Sequence, residues 1–427
     1  MQTLVLPAHL KGAIVVPPSK SITQRAYAVA LLHNGKTTIL NAGNSEDELA
    51  ALNVIQKLGA SLYSIDGNIT EIHSEGVFPI AREIDCGESG LAARLFTPIA
   101  ALSRVPVVIT GKGSLMKRPM EGVQQAFTSL GVDFSDNQGH LPLTVHGPMH
   151  SMSFSLNASF GSQLLSGLLF ALAFSTKDVV TIEVADLKSR PYIDLTLTML
   201  ATAGRPIQHF NYTSFLINPE FFHEPEILEI NVEGDWSAAA NLLVAGAISG
   251  EVNITNLNMD SAQADKAILD ILEQANAEVA IGENGITATQ SQLLPFIFDA
   301  NDSPDLFPII SVLAAFCNGK STVFGLSRLI HKESNRQSSI CDMLTAFGIH
   351  HEIDGDRLMI DGNRNAVLKT CTVDGYNDHR IVMAAAVASL RTIDGAIISD
   401  FEAVKKSYPG FWSDFEKLGG LHKLVTD

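Results

Sequence analysis

One short phrase recurs six times along the chain: an amphipathic helical run that stops on Gly or Asn, followed by two short strand-like segments. The phrase reads Ile55-Gln56-Lys57-Leu58-Gly59, Phe127-Thr128-Ser129-Leu130-Gly131, Leu200-Ala201-Thr202-Ala203-Gly204, Leu272-Glu273-Gln274-Ala275-Asn276, Leu344-Thr345-Ala346-Phe347-Gly348 and Phe415-Glu416-Lys417-Leu418-Gly419. Its closing residues lie 71–73 positions apart. A fixed period of this length marks a chain built from copies of one supersecondary unit. Gly or Asn in the closing slot is what a left-handed helix C-cap requires. Turn pairs between the following strands support a hairpin, at Asp66-Gly67, Asn284-Gly285 and Asp354-Gly355.

Each copy also carries an earlier, far more apolar run, clearest in five of the six at 26–32, 164–173, 238–248, 307–316 and 381–390. A helix apolar all round belongs in a core, whereas 48–55 shows apolar residues on one face only. Each copy therefore reads as strand, buried helix, strand, surface helix, strand, strand, which predicts an α/β fold of six βαβαββ repeats. A single core stops growing near ~250–300 residues, so six copies should divide as three plus three.

The polar residues fall at two regular places in each copy. Lys20, Arg94, Gln163, Asp235, Asp305 and Arg380 lie 37–43 residues before the closing residue. Arg118, Ser189, Glu333, Arg336 and Lys406 lie 12–15 before it. Both places are expected at helix starts, with Pro119, Pro191 and Pro409 at or just ahead of the first turn. Helix N-termini present free N–H groups and attract anions. If the copies are pseudo-symmetric, two groups of three such ends face each other across a cleft lined by Lys20, Arg25, Arg94, Arg118, Lys332, Arg336, Arg380 and Lys406. That arrangement suits one or two small, multiply charged anions.

The overall charge sharpens this expectation. The 427-residue chain has 29 Lys plus Arg against 46 Asp plus Glu, a formal net charge of −17. A chain this acidic is poorly suited to nucleic acid or anionic membranes, so anions must be gathered by local clusters. No apolar run reaches the ~20 residues of a membrane span. The first residues lack the basic and apolar regions of a signal peptide. Cys86, Cys317, Cys341 and Cys371 form no CxxC pair, and none has a His at zinc-ligand spacing, so free thiols in a reducing cytoplasm and no metal are expected. The charge mildly favours a monomer. Two acids, Asp305 and Glu333, stand among the cations. On spacing alone they serve equally well as ion-pair partners or as proton acceptors.

These residues sit in motifs that resemble the EPSP synthase family. The motifs are Pro18-Ser19-Lys20-Ser21-Ile22-Thr23-Gln24-Arg25, Gly87-Glu88-Ser89-Gly90 with Arg94, Met116-Lys117-Arg118-Pro119-Met120, Ser162-Gln163, Ser189-Arg190-Pro191-Tyr192 and Val232-Glu233-Gly234-Asp235. Pro304-Asp305, Lys332-Glu333-Ser334-Asn335-Arg336, Tyr376-Asn377-Asp378-His379-Arg380 and Lys406-Ser407-Tyr408-Pro409 complete the series, in the family's order along the whole chain.

The resemblance implies a two-domain inside-out α/β barrel with three repeats per domain. One domain would be 1–18 plus 233–427 and the other 19–232, with the active site in the cleft between them. It implies transfer of an enolpyruvyl group from phosphoenolpyruvate to shikimate 3-phosphate, without cofactor or metal. Lys20, Ser21, Arg25, Ser162, Gln163, Ser189, Asp305 and Lys332 would hold shikimate 3-phosphate. Lys20, Gly90, Arg118, Gln163, Arg336, Arg380 and Lys406 would hold phosphoenolpyruvate. Asp305, Glu333 and Lys20 would handle protons.

Leu91, Gly161, Arg328 and Ile330 depart from the residues usual in the family. The sister enzyme, UDP-N-acetylglucosamine enolpyruvyl transferase, shares the implied fold and donor. Its usual Cys is missing from 111–118, and Ser-Arg-Pro-Tyr and Lys-Ser-Tyr-Pro favour EPSP synthase.

Overall fold

A computed structural model of the chain describes residues 1–425. The chain forms two compact units, Pro18–Glu233 and Met1–Pro17 with Gly234–Asp427. Six four-stranded sheets are present among the described residues. All six repeat one order: the first strand runs parallel to the second, the second pairs antiparallel with the fourth, and the fourth pairs antiparallel with the third. In the four sheets whose parallel strands follow one another in the chain, the apolar helix bridges the parallel pair, and tight turns join the third and fourth strands of every sheet but the one that takes in Gln2–Leu6.

In Pro18–Glu233 the ring of repeats closes on a borrowed strand. Leu228–Asn231, at the end of the unit, lies parallel to Gly35–Leu40 with Leu228 opposite Thr37. In the other unit Gln2–Leu6 inserts between Ala396–Ser399 and Leu421–Val425. Leu10–Val15 likewise pairs in parallel with Gly250–Thr255. Each unit therefore completes its sheets with a strand from a distant part of the chain.

The apolar runs are buried helices. Lys20–Leu32, Gly90–Ala100 and Gln163–Ser175 pack on one another in one unit. Trp236–Ser249, Phe307–Ala315 and His379–Ser389 do so in the other. Every residue of Phe307–Ala315 is buried, and Ser237 alone escapes burial in Trp236–Ser249. The helices form the core and the sheets face outward, an inside-out arrangement set by which elements are apolar on all sides. A Cβ on Gly167 would fall 2.5 Å from the Leu95 carbonyl oxygen, so Gly167 lets Gln163–Ser175 approach Gly90–Ala100 closely.

All six closing residues have positive φ: Gly59 122°, Gly131 64°, Gly204 73°, Asn276 53°, Gly348 77° and Gly419 93°. The repeat phrase is thus a helix stop in every copy. The expected helix starts are less uniform. Arg118 and Lys406 lie at the ends of 3₁₀ turns, Gly113–Lys117 and Phe401–Lys406, and their surface helices begin only at Val123 and Phe411. Pro119 disfavours an α conformation at Arg118, which is extended at φ −87° and ψ 129°. Asp305 also lies in a 3₁₀ turn, just ahead of Phe307, and Arg94 lies one turn inside its helix. No described helix is long and apolar enough to cross a membrane.

Candidate anion-binding and proton-transfer residues

In Gly234–Asp427, Asp305, Arg336, Asp378 and Arg380 form one hydrogen-bonded network at the starts of the buried and surface helices. Asp378 is the N-cap of His379–Ser389, with its Oδ1 accepting from the Arg380 backbone N–H at 3.0 Å. The same carboxylate receives Arg336, whose Nε donates to Oδ2 at 2.7 Å and whose Nη2 donates to Oδ1 at 3.1 Å. This is the bidentate fork that arginine makes with carboxylates. Arg336 Nη1 donates to Asp305 Oδ1 at 2.7 Å. Arg380 Nη2 donates to Asp305 Oδ2 at 3.0 Å, so two guanidiniums grip Asp305 from both sides.

Burial works to raise the Asp378 carboxyl, but the Arg336 charge overcomes it and holds the group below the ordinary carboxylate range. Arg336 is pushed upward: burial alone would lower it, and Asp378, Asp305 and Glu333 more than compensate.

Glu333 stands three residues before Arg336, with Oε1 3.8 Å from Arg336 Nη2. Its Oε2 lies 2.7 Å from Nδ1 of the buried His379. Lys406 is buried at 3% exposure and donates to the Asn377 carbonyl at 2.6 Å. Lys332 is half-buried beside Glu333. Asp305, Glu333, Arg336 and Arg380 are thus brought together in this unit. Sequence reasoning assigned no role to Asp378 or His379. Their signal was their place in the Asn377-Asp378-His379-Arg380 run, but spacing could not reveal that their side chains turn back onto Arg336 and Glu333. Glu333, Asp378 and His379 each offer a ligand atom within 4.8 Å of the others. The Asp378 oxygens are already committed to Arg336, Ser334 and the Arg380 N–H, so the three do not form a free metal-ligand set.

In Pro18–Glu233 the candidates are chiefly cations and neutral donors. Lys20 opens the helix Lys20–Leu32, and its Nζ lies 2.8 Å from Asp47 Oδ2. Ser21 follows it, half-buried. Ser162 and Gln163 form the start of Gln163–Ser175, with Ser162 buried. Ser189 is buried with φ 58°, a left-handed conformation uncommon for a non-glycine residue and frequent at functional sites.

Gly90 opens its helix directly under Arg118: an added Cβ would fall 2.5 Å from Arg118 Nη1. Arg94 donates to the Gly90 and Pro119 carbonyls at 3.0 and 2.7 Å, and burial lowers it to about 9. Arg25 differs from the lining residue that the sequence suggested. It is fully buried, with Nε donating to Thr196 Oγ1 at 2.9 Å and Nη1 and Nη2 donating to the carbonyls of Ser21 and Tyr192. Of the four departures, Leu91 is buried in its helix, Gly161 takes φ 136°, Arg328 lies within the 3₁₀ turn Leu326–Leu329 and Ile330 is 41% exposed.

The inside-out architecture is shared with a solved enolpyruvyl transferase, NikO from Streptomyces tendae, with a TM-score of 0.76 at 16% identity over 99% of this chain and 98% of that one. It is also shared with EPSP synthase from Acinetobacter baumannii, with a TM-score of 0.82 at 24% identity over 100% of both chains. Sequence then narrows the class. The chain belongs to the EPSP synthase (3-phosphoshikimate 1-carboxyvinyltransferase) family, whose model matches residues 5–415. It is 35% identical over 422 residues to the 3-phosphoshikimate 1-carboxyvinyltransferase of Clostridium botulinum strain Eklund 17B, covering 97% of each chain. It is 36% identical to the Clostridium acetobutylicum protein of the same name, covering 97% of this chain and 96% of that one.

Proposed function

We propose that this chain transfers the enolpyruvyl group of phosphoenolpyruvate to the 5-hydroxyl of shikimate 3-phosphate, releasing phosphate and 5-enolpyruvylshikimate 3-phosphate. Family membership and the whole-length match to proteins of that name support the reaction. One observation carries the chemistry: the Asp305 carboxylate is gripped by Arg336 and Arg380, while Glu333 pairs with His379 beside the same arginines. Two acids are thus held close to two guanidiniums suited to a phosphate and a carboxylate.

The mechanism is addition followed by elimination. Asp305 accepts the 5-hydroxyl proton as that oxygen bonds to C2 of phosphoenolpyruvate. Glu333, assisted by Lys20, delivers a proton to the methylene carbon. Cleavage of the C2–O bond to the phosphate then releases phosphate, which carries off the proton that Asp305 took, as Glu333 recovers a proton from the methyl group and the double bond re-forms. No oxidation state changes overall, so the reaction needs no redox cofactor.

We assign Ser21, Ser162, Gln163, Ser189 and Lys332, with Lys20 and Asp305, to shikimate 3-phosphate, while Arg25, gripping the Ser21 and Tyr192 carbonyls, holds Ser21 from behind. Gly90, Arg118, Arg336, Arg380 and Lys406, with Lys20 and Gln163, are assigned to phosphoenolpyruvate. Both clusters would act on one pair of ligands, with 1–18 plus 233–427 and 19–232 as the two domains. The net charge of −17 mildly favours a monomer acting on small soluble substrates, and the free cysteines suit a reducing cytoplasm.

A coupled phosphate-release assay with both substrates tests the reading. Activity with UDP-N-acetylglucosamine as acceptor and none with shikimate 3-phosphate would sink it.

A further inference from the structure

Arg380 is held on one corner by two groups, and only one of them is a carboxylate. Its Nη2 donates to Asp305 Oδ2 at 3.0 Å and to Ser237 Oγ at 3.3 Å. Ser237 in turn donates its hydroxyl hydrogen to Asp265 Oδ2. A hydroxyl has one hydrogen and two lone pairs. With the hydrogen committed to Asp265, the lone pairs of Ser237 are left for Arg380.

The support is built into the fold. Asp265 lies in a 3₁₀ turn, Ala264–Ala267, that is clamped to the start of the buried helix Trp236–Ser249. Gln263 makes the clamp: its Nε2 donates to the Gly234 carbonyl at 2.8 Å and its Oε1 accepts from the Trp236 N–H at 3.2 Å. The Trp236 indole donates to the Asn258 carbonyl at 3.2 Å at the other end of the same loop. Asp265 is 2% exposed, and its Oδ1 accepts no hydrogen bond from the described residues. Keeping a buried carboxyl with one oxygen unmatched is costly, so a role beyond packing is indicated.

We propose that Asp265, acting through the Ser237 hydroxyl, is a positioning residue that fixes the Arg380 guanidinium for the donor anion. The inference rests on the functional reading above. The ionised carboxylate orients Ser237. When it is protonated, its own hydrogen competes for Ser237 and the hold on Arg380 slackens. Burial pushes the Asp265 carboxyl up to about 7. Arg380 pulls it down, Asp305 pushes it up, the Ser237 hydrogen bond lowers it, and Asp235 at the helix N-cap raises it. The hold therefore strengthens as pH rises through neutrality.

The test is steady-state phosphate release by the full-length protein, with each substrate varied in turn from about pH 6 to about pH 8. Asp265→Asn and Ser237→Ala should each raise KM for phosphoenolpyruvate about tenfold, while KM for shikimate 3-phosphate and kcat change less than about threefold. Ser237→Thr, which keeps the hydroxyl, should stay within about twofold of wild type. The Asp265→Asn to wild-type ratio of phosphoenolpyruvate KM should shrink toward one as pH falls, a comparison that cancels titration of the ligand itself.

An unchanged KM, a ratio flat with pH, or equal shifts in both KM values with kcat would overturn the inference. Wild type that releases no phosphate overturns the functional reading instead. The inference is then judged by the side-chain ¹⁵N signals of Arg380, identified by their loss in Arg380→Lys, which must move in Asp265→Asn. Should Asp265→Asn not fold, Ser237→Ala carries the same comparison.

Discussion

The two units share a topology strand for strand yet hold two pairs of candidate arginines by opposite means. In Pro18–Glu233, Arg25 and Arg94 are pinned by neutral acceptors: the carbonyls of Ser21, Tyr192, Gly90 and Pro119, and the Thr196 hydroxyl. Their charge is not cancelled, and burial pulls them down to about 10 and about 9. In the other unit, Arg336 and Arg380 are pinned by Asp378 and Asp305, and Arg336 is driven upward. Among these candidate residues, one repeat architecture thus supplies arginines held on neutral acceptors in one unit, where Lys20 pairs with Asp47, and a charge-compensated network in the other. The first kind suits holding anions. The second, rich in carboxylates whose partners can exchange, suits moving protons.

The sharpest way to break this division is to remove a proton carrier without altering charge-independent binding. Glu333→Gln should bind both ligands and lose about 10²–10⁴-fold in kcat, the usual worth of acid–base help. Single-turnover kinetics alongside calorimetric binding separate the two effects. Near wild-type turnover would mean that the paired carboxylates are structural only.

Stability offers the next contrast. Asp378→Asn leaves the Nε and Nη2 edge of buried Arg336 against a neutral partner, with Asp305 still on Nη1, and breaking a buried pair costs about 3–5 kcal/mol. Arg94→Met removes the charge together with its desolvation and strands only carbonyls, at about 1–3 kcal/mol. Denaturant unfolding of both variants should rank them in that order. Equal losses would show that the carbonyl-held and carboxylate-held arginines are energetically alike.

How much of this could be read from the residues differs along the same lines. The helix stops were legible because a positive φ at Gly59 or Asn276 is a local demand that only Gly and Asn meet easily. The buried helices were legible because 307–315 is apolar on all sides. The starts at Arg118 and Lys406 were misread, since 3₁₀ turns ahead of Pro119 and Pro409 leave no periodic signature. Arg25 was given an open face because nothing local tells a guanidinium gripped by Tyr192 from one facing a ligand. Asp378, His379 and Asp265 had no legible role for the same reason: each acts across repeats, on a residue 42 to 115 positions away in the chain. Local chemistry was readable, and contact across repeats was not.

A smaller effect probes the cationic unit. Gly90→Ala sets a methyl group 2.5 Å from Arg118 Nη1, so the flexible guanidinium must retreat. The expected result is a rise of about tenfold in KM for phosphoenolpyruvate with folding intact. A variant that loses shikimate 3-phosphate binding instead would move Arg118 out of its assigned role.

Acid separates the units most subtly. Asp378 is held below its ordinary range, so its contribution to stability is present above the unfolded value and is lost as pH falls through the depressed one. Asp265 works in the reverse sense: raised to about 7, it favours the native state at low pH, and that contribution fades as pH rises through 7. Hydrogen exchange, corrected for intrinsic rates, should therefore show the start of Trp236–Ser249 gaining protection between about pH 7 and pH 5. The start of His379–Ser389 should lose protection only at stronger acid. The carbonyl-held arginines titrate far above this window, so the start of Gly90–Ala100 should hold its protection throughout. If that helix opened before His379–Ser389 on acidification, the charge-compensated network would not be what makes one unit acid-sensitive.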